Sequence, residues 1–505
     1  MSNEITGDSR VRFGNWMPIK RMTLGMLTVP GWGILGVGLI IMTLLFQTGE
    51  WGAGLLVLAG ALLVDALFVV RWGDPLAART IAQRVVERVG GSSRVARGEA
   101  TYNTGLFTNL PAEKLTALPG ALANLEEIDG TDGRGNPYTL LYHPTGKLLV
   151  AVFACAPDGN ELQTQERIDT DVSWYGAWLA SHSQDTAIAG ATVVADTSLR
   201  SSAPLVEKIT GDIDPGAPEI ARAATAEAAR RLPARYSEST SWAVIAWSVD
   251  SLAGSLDEAH AEVAAKLPYH VDALREAGGG AVVPATSQML ATAARISYDP
   301  ERSAEIASDE LRGHRNPMRV TEAGPEYFDD GHKRVVLHDG VASMTALVLV
   351  PPRVEITEST MNALFRPTHG FLRKRAAVLY RPVSPGKTMN LVEEMGKSQS
   401  MSSTAKARIT ERDKSDAGKQ RMLEQQVVKG AMMTRFGIVV TVTFDADARS
   451  YREAEMKLKS LLEMSSLTYR LCDWDAGPAF HVSMPLGLLP WLHETMAERV
   501  AKGLS

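Results

Sequence analysis

Cysteine is almost absent from this sequence of 505 residues, which contains only Cys155 and Cys472. The two lie far apart and lack the short spacing of metal ligands, so the sequence supports neither a disulfide framework nor a zinc site. This composition agrees with a reducing, cytoplasmic location for most of the chain. Excess positive charge is absent too, since 52 Lys and Arg face 58 Asp and Glu for a net charge of -6. A protein that coats nucleic acid shows a basic footprint, so direct nucleic-acid binding is not expected.

Recognisable catalytic motifs are missing as well: there is no HExxH, no GxSxG and no paired-cysteine motif. The nearest approach to a phosphate-binding loop surrounds Lys397, but Leu391 stands where that loop needs glycine. The residues before it predict a polar helix rather than the required strand. His332 and His338 are predicted to be surface residues rather than metal ligands. We therefore expect no catalytic, cofactor-binding or metal-binding residues, no cofactor and no enzymatic activity.

The sequence does contain two long apolar runs near its N-terminus. Residues 22–49 carry no charge, and residues 51–70 are interrupted only by Asp65. About 20 apolar residues in a helix cross a bilayer, and the short polar connection suits antiparallel helices. We predict a transmembrane hairpin of two helices over residues 22–71. The alternative, a pair of buried core helices, is disfavoured because such helices are rarely apolar on every side.

Basic residues flank the hairpin on both sides and are absent from its connecting loop. They are Arg10, Arg12, Lys20 and Arg21 before it, and Arg71, Arg79, Arg84, Arg88, Arg94 and Arg97 after it. The positive-inside rule places both termini in the cytoplasm, making this a multi-pass protein of the cytoplasmic membrane. Asp65 is the only ionisable residue inside a predicted span, which makes it a functional candidate by default. The alternative is that Asp65 lies near the membrane interface or pairs there with Arg71.

The remaining segments divide by composition and pattern. The predicted divisions are a cytoplasmic N-terminal segment (1–21), a juxtamembrane helix and linker (72–112) loosened at 90–93, a first α/β unit (113–298), a connecting loop (299–340), a second α/β unit (341–487) and a C-terminal helix or tail (488–505). The second unit contains a long polar helical excursion over residues 386–430. Its basic stretch, 406–421, reads as a solvated helix face, with a local nucleic-acid contact as the alternative.

Both units alternate short strands with amphipathic helices. In the first unit we predict a hairpin of strands 138–143 and 147–156, later strands at 187–195, 240–249 and 281, and helices at 161–182, 217–231, 257–277 and 287–296. The three glycines at 278–280 indicate a helix stop. In the second unit we predict strands 343–350, 376–382, 434–444 and 467–472, with helices at 357–365 and 448–463.

The strand at 434–444 is the clearest element of the second unit. Phe436, Ile438, Val440, Val442 and Phe444 alternate with polar residues, which predicts a half-buried strand. Strand, helix and strand then follow one another, as they do elsewhere in the chain. The predicted fold class is therefore α/β or α+β, with layered cytoplasmic domains built on ferredoxin-like strand-helix-strand units behind the hairpin.

The order of these features resembles the integral membrane protein family of actinobacterial conjugative type IV secretion loci. The matching pieces are Arg12-Phe13-Gly14 before the hairpin, LPGAL at 118–122, GIVVTVTF at 437–444 and AFHVSMPLG at 479–487. The last piece is similar to the end of the N-terminal domain of VirB-type secretion ATPases. Two positions depart from the family pattern: Met484 replaces a leucine, and Leu488-Leu489-Pro490 stands where a basic or glycine-rich turn is usual.

The resemblance implies a PrgI-like two-span segment joined to an ATPase-like N-terminal domain that stops before the motor. Such a chain would be a non-catalytic scaffold that docks a separate VirB-type ATPase at the cytoplasmic face, beside a PrgI-like small membrane protein, as an oligomer within a secretion complex. The alternatives are a membrane component of a type VII-like secretion system and a membrane-anchored nucleotide-binding regulator.

Overall fold

A computed structural model describes part of the chain, including nearly all of both predicted α/β units. The described residues are 13–14, 23–24, 27–69, 71–72, 79–104, 108, 115, 117–159, 163–252, 254–312, 317–350, 355–356, 358–404, 417–418, 420–421, 423–425, 427 and 433–493.

The named helices are α1 (Val29–Gln47), α2 (Trp51–Val64), α3 (Ile81–Ala96), α4 (Gln165–Gln184), α5 (Ala203–Gly211), α6 (Glu219–Arg231), α7 (Leu256–Leu274), α8 (Ser287–Tyr298), α9 (Arg302–Leu311), α10 (Asn362–Phe365), α11 (Pro385–Thr404), α12 (Ala448–Met464) and α13 (Ala476–Val482). The main strands are β1 (Thr101–Asn103), β2 (Glu126–Thr131), β3 (Pro137–His143), β4 (Leu148–Ala156), β5 (Ile188–Ser201), β6 (Arg235–Ser248), β7 (Ala281–Pro284), β8 (Tyr327–Asp329), β9 (Val335–His338), β10 (Val341–Val350), β11 (Arg373–Pro382), β12 (Thr434–Asp445) and β13 (Thr468–Leu471).

All of these strands belong to one sheet of 13 strands, whose paired strands run antiparallel. Its order is β1-β8-β9-β10-β12-β11-β5-β6-β4-β3-β2, with β7 added beside β4 and β13 beside β10. The fold is thus mixed α and β, as predicted, and both predicted α/β units contribute strands to a single sheet.

The sheet is built from the same topological unit twice. In the first half, β4-α4-β5-β6-α7-β7 pair in the order β7-β4-β6-β5; in the second, β10-α10-β11-β12-α12-β13 pair in the order β13-β10-β12-β11. This 4-1-3-2 order is that of the ferredoxin-like βαββαβ motif. Each half also inserts helices between its second and third strands, α5 and α6 in the first half and α11 in the second.

The halves meet where β5 pairs with β11, the second strand of each unit. The pairing runs from Ala191 opposite Tyr380 to Ser198 opposite Arg373. We call this β5–β11 pair the seam. Because each strand covers an edge that the other would leave open, the junction satisfies backbone groups that would otherwise have to bind water or another chain.

Side chains on opposite faces of the sheet enter different cores. Val193 and Val378, directly opposite at the seam, face the layer of α4, α7 and α12. Val194 and Ala377 face the other layer, where α8, α13 and the C-terminal segment pack. The core on the side of α8, α13 and the C-terminal segment runs across the seam without interruption, so the two halves share this hydrophobic core.

Local sequence explains several element boundaries. Asp447 begins α12 by accepting hydrogen bonds from the backbone N–H groups of Arg449 and Ser450, at 2.9 and 3.0 Å. The turn between β9 and β10 uses Asp339 and Gly340, both with positive φ. The predicted helix stop is confirmed, since Gly278 and Gly280 adopt positive φ between α7 and β7.

Two predictions about irregular segments are wrong. Residues 90–93, expected to be loose, lie inside α3, where helical hydrogen bonding continues through both glycines. The predicted connecting loop, 299–340, contains α9, β8 and β9. The short strands escaped prediction because their pattern is too brief to show a period; pairing with β1 and β10 defines them instead.

The strand β12 also differs from its prediction, because both of its faces are buried. Ile438 and Val440 face α12 as expected. Thr441 and Thr443, on the supposedly solvated face, are each 1% exposed. Their hydroxyls hydrogen-bond to Thr345 and Ser343 on β10, at 2.9 and 2.8 Å. A layer contributed by the distant C-terminus covers this face, which the strand's own alternation could not reveal.

Within the residues that the structure describes, no helix combines the length and apolar character needed to cross a membrane. Several predictions fall outside the described residues. They concern most of the N-terminal segment 1–21, the part of the basic stretch at 406–416, and the tail from residue 494 onward.

Candidate functional site

The first candidate site is the helical hairpin of α1 and α2. A Cβ built on Gly38 would lie 2.7 Å from that of Ala61, so glycine permits close approach of the helices. Phe46 stacks on Trp51 beside the connecting turn, with ring centroids 5.3 Å apart. Large apolar side chains nevertheless remain exposed on both helices. They are Trp32, Val37, Leu39, Ile40, Ile41, Leu44, Trp51, Leu55, Leu56, Leu62, Leu63 and Val64.

Asp65, the ionisable candidate of this hairpin, follows α2 at the start of a π-helical turn that extends to Val69. Its side chain is 3% exposed. Neither carboxylate oxygen has a hydrogen-bond partner among the described residues. The side chain of Arg71, its predicted partner, lies outside the described set, so the ion pair stays a prediction.

The helix α3 connects the hairpin to the sheet. Arg94 donates hydrogen bonds to both carboxylate oxygens of Asp330, with the Nη2–Oδ1 distance at 2.7 Å. A Cβ on Gly91 would lie 2.7 Å from the indole of Trp474. Glycine is therefore what allows α3 to lie against this ring. These contacts join the N-terminal part of the chain to the second half of the sheet.

The seam contains buried charge on the face toward the C-terminal segment. Arg373 on β11 donates to both carboxylate oxygens of Asp196 on β5, and Nε lies 2.8 Å from Oδ1. Asp196 is 2% exposed and Arg373 6%. A buried bidentate pair is costly to break because the survivor keeps an uncompensated charge. The pair therefore favours this pairing register of β5 and β11 over registers shifted by one or more residues.

Arg375 lies on the same face, fully buried, beneath the segment that carries the AFHVSMPLG resemblance. Its Nε donates to the hydroxyl of Ser483 at 3.1 Å, and its guanidinium lies 4.5 Å from the ring centre of Phe480. Both terminal nitrogens lack partners among the described residues. Burial, aided by the charge of Arg373, lowers the pKa of Arg375 to about 9.

His338 is fully buried beside this arginine, so the prediction of a surface position is wrong. Its Nδ1–H donates to the carbonyl of Tyr298, which leaves Nε2 to accept from Ser343 at 2.8 Å. Burial lowers its pKa to about 3, and burial likewise lowers that of His481 to about 3. His332, the other histidine, is half exposed and lies 3.5 Å from Asp329.

The remaining candidates from the sequence occupy structural positions. Lys397 lies inside α11 and pairs with Glu393 at 2.8 Å, so its surroundings are a helix rather than a phosphate-binding loop. Cys155 and Cys472 are both buried and form no disulfide. Gly280 approaches the carbonyl of Ala156 so closely that a Cβ would lie 2.0 Å from its oxygen. Among the described residues, no group of three or more His, Cys, Asp or Glu could hold a metal ion.

A cleft of about 500 Å³ opens at one end of the seam, and the sequence offered no motif for it. It lies among the end of α4, the end of β11, the start of α11 and the start of β12. Its polar lining includes His182, Asp185, Arg381, Lys387, Glu394 and Arg435. These side chains come from segments far apart in the sequence, which explains why no local pattern predicted the cleft.

No protein-family model matches the chain, and no curated protein matches it.

Proposed function

We propose that this protein is a non-catalytic scaffold of a type IV secretion or conjugation apparatus, held in the cytoplasmic membrane by its N-terminal hairpin. Both termini would be cytoplasmic. The double ferredoxin-like sheet would dock a separate VirB-type motor ATPase, beside a PrgI-like small membrane protein, with several copies in one complex.

The exposed apolar surface of α1 and α2 carries the membrane part of this proposal. Leu56 is 75% exposed, Trp51 65% and Leu63 61%, on a hairpin without a charged residue between Glu50 and Asp65. Each fully buried leucine would gain about 1.5–3 kcal/mol on leaving water, so a dozen such side chains strongly favour an apolar cover. The uncharged run at 22–49 and the basic flanks favour lipid as that cover.

The resemblance described above supports the assignment to a secretion apparatus. The contacts of the C-terminal segment with both halves of the sheet support a scaffold role. The segment 479–487, part of that resemblance, packs against both halves of the sheet: Ser483 and Phe480 contact Arg375, and the carbonyl of Leu486 accepts from His143 Nε2 at 2.8 Å. A double unit that shares one core and is joined to the hairpin through α3 suits a part that holds a motor at a fixed place.

Cysteine labelling tests the membrane topology. The natural thiols are buried, so a single cysteine introduced by Glu50→Cys or Lys502→Cys is the main reactive thiol. In intact cells, a membrane-impermeant maleimide should label the variant at 50, whereas the variant at 502 should react only after permeabilisation. The reverse pattern, or release of the protein by carbonate washing, contradicts the proposed hairpin.

Co-purification tests the scaffold role. In mild detergent, the neighbouring ATPase should elute with this chain, and deletion of the chain should abolish transfer. If the ATPase never co-elutes and transfer survives the deletion, the scaffold proposal is wrong. Replacing residues 22–70 with an unrelated two-span hairpin then separates the roles: persistent transfer would reduce the spans to an anchor and leave Asp65 without a special role.

The two alternatives make different predictions. A type VII-like component would be encoded beside small paired helical exported proteins rather than beside an ATPase with a PrgI-like protein. A nucleotide-binding regulator that used the Lys397 region would bind ATP tightly and lose that binding on Lys397→Ala. The helical setting of Lys397 disfavours this second alternative.

A further inference from the structure

The seam cleft concentrates positive charge. Arg381 on β11 and Arg435 on β12 are directly opposite in the strand register. Lys387 lies in the first turn of α11. Like charges placed opposite each other on neighbouring strands are destabilising, and a cation near a helix N-terminus opposes the helix dipole. All three cations line the same cleft, so each adds to the repulsion felt by the others.

Carboxylates of the chain do not neutralise this cluster. Among the described residues, Arg381, Lys387 and Arg435 have no carboxylate within ion-pair distance. Asp185 lines the cleft, but it accepts from Lys266 Nζ at 2.9 Å and from the backbone of Ala187. Glu394 is the other carboxylate in the lining. The cleft therefore carries more positive than negative charge.

The first half of the sheet provides a comparison. At the corresponding ends of β5 and β6, Arg200 forms an ion pair with Glu238, and Arg235 lies opposite Ser201 rather than opposite another cation. The repeated fold therefore does not require paired arginines at this place. The unneutralised pair is particular to the second half, where α11 begins.

His182 supplies a second, independent observation. It lines the cleft and is 2% exposed, and its Nε2 atom is itself buried and has no hydrogen-bond partner among the described residues. Its Nδ1–H donates to the carbonyl of Trp178 at 2.6 Å, so Nε2 is the acceptor of a neutral ring. Burial lowers the pKa of His182 to about 4, which keeps the ring neutral near pH 7. A buried acceptor without a partner is costly unless a donor reaches it.

We infer that the seam cleft binds a phosphate-bearing anion between Arg381, Arg435, Lys387 and the N-terminus of α11, beside the buried ring of His182. Planar guanidinium groups bind phosphoryl oxygens in bidentate fashion, and helix N-termini bind phosphate through backbone N–H groups. A cleft of about 500 Å³ accommodates a nucleotide-sized molecule. The phosphoryl group belongs either to a soluble phosphoanhydride or to a lipid headgroup. This inference stands independently of the proposed scaffold role.

Calorimetric titration of the detergent-purified full chain with pyrophosphate tests the inference. The wild-type protein should bind, and Arg435→Gln or Lys387→Gln should weaken binding by about tenfold or more, since each removes a direct charge contact. Lys397→Gln is the matched control, because it removes a cation from the same helix outside the cleft and should bind like the wild type. Thermal unfolding without ligand gives a second readout: Arg435→Gln should unfold at the same or a higher temperature, because repulsion is relieved.

A parallel titration with short-chain phosphatidylglycerol identifies the source of the phosphoryl group. Binding of pyrophosphate alone assigns a soluble ligand, and binding of the lipid alone assigns a headgroup. In both cases the cleft variants Arg435→Gln and Lys387→Gln should bind that probe more weakly than the wild type. The inference is overturned if the wild type binds neither probe, or if the cleft variants bind as tightly as Lys397→Gln.

Discussion

Asp196 and Arg373 illustrate how single residues at the seam control stability. Both charges lie in a low-dielectric interior, where each depends on the other. Asp196→Ala should therefore lower the free energy of unfolding by about 3–5 kcal/mol, because it leaves Arg373 buried and unpaired. Denaturant unfolding of the detergent-purified protein measures this loss.

A matched control uses an exposed ion pair. Lys147 and Asp250 lie 3.0 Å apart with both side chains more than half exposed. Asp250→Ala should change the free energy of unfolding by less than about 1 kcal/mol. Equal effects of the two alanine substitutions would show that the seam pair is not the buried, interdependent pair described here.

Buried histidines make the stability depend on pH. Burial lowers the pKa values of five histidines to about 3 or 4; they are His143, His182, His270, His338 and His481. The unfolded chain takes up these protons near pH 6.5 while the folded chain does not, so stability should be full above pH 6.5 and fall as the pH drops toward 4.

His338→Gln tests this dependence. Each such histidine makes the free energy of unfolding fall by up to about 1.4 kcal/mol for each pH unit of acidification. The variant lacks one of these histidines, so its free energy of unfolding should fall less steeply between pH 6 and 4. His332→Gln, at a half-exposed position, should keep the wild-type slope. The measurement is the free energy of unfolding across this pH range, and an unchanged slope in His338→Gln would contradict the assignment.

At the scale of elements, α3 shows how two adjacent glycines have different roles. Gly90 has no atom within 4 Å of its missing Cβ, whereas Gly91 lies against Trp474. Gly91→Ala should push α3 away from the sheet. Gly90→Ala should instead stabilise the helix by up to about 1 kcal/mol, since alanine is the better helix former.

Hydrogen exchange over residues 81–96 measures both effects. Exchange should accelerate in Gly91→Ala and slow slightly in Gly90→Ala. Equal protection in the two variants would show that the contact with Trp474 does not hold α3 in place.

At the scale of the whole molecule, the seam and the shared core make the two halves one cooperative unit. The slowest amides of β4 and β10, one strand from each half, should exchange with the same free energy, because neither half can open without exposing the common core. Native-state hydrogen exchange in increasing denaturant measures this. Two different free energies would mean that the halves unfold separately.

Local pattern in the sequence determined much of this protein. The apolar runs located α1 and α2, a hairpin pattern located β3 and β4, and alternation located β12 to within a few residues. These features depend on the spacing of neighbouring side chains, which a single sequence displays directly. The 4-1-3-2 strand order was likewise consistent with the repeated strand-helix-strand rhythm.

Only the tertiary structure decided the pairing of β5 with β11, the burial of His338 and the charges at the seam. An edge strand shows no local sign of its partner, because backbone hydrogen bonds are the same for every residue. All three residues of the charged run Arg373-Lys374-Arg375 are buried, because Asp196 pairs with Arg373, Ser483 of the C-terminal segment accepts from Arg375, and carbonyls in and after α10 accept from Lys374. Residues far apart in the chain create these environments, so their burial and the seam cleft exist only in the folded molecule.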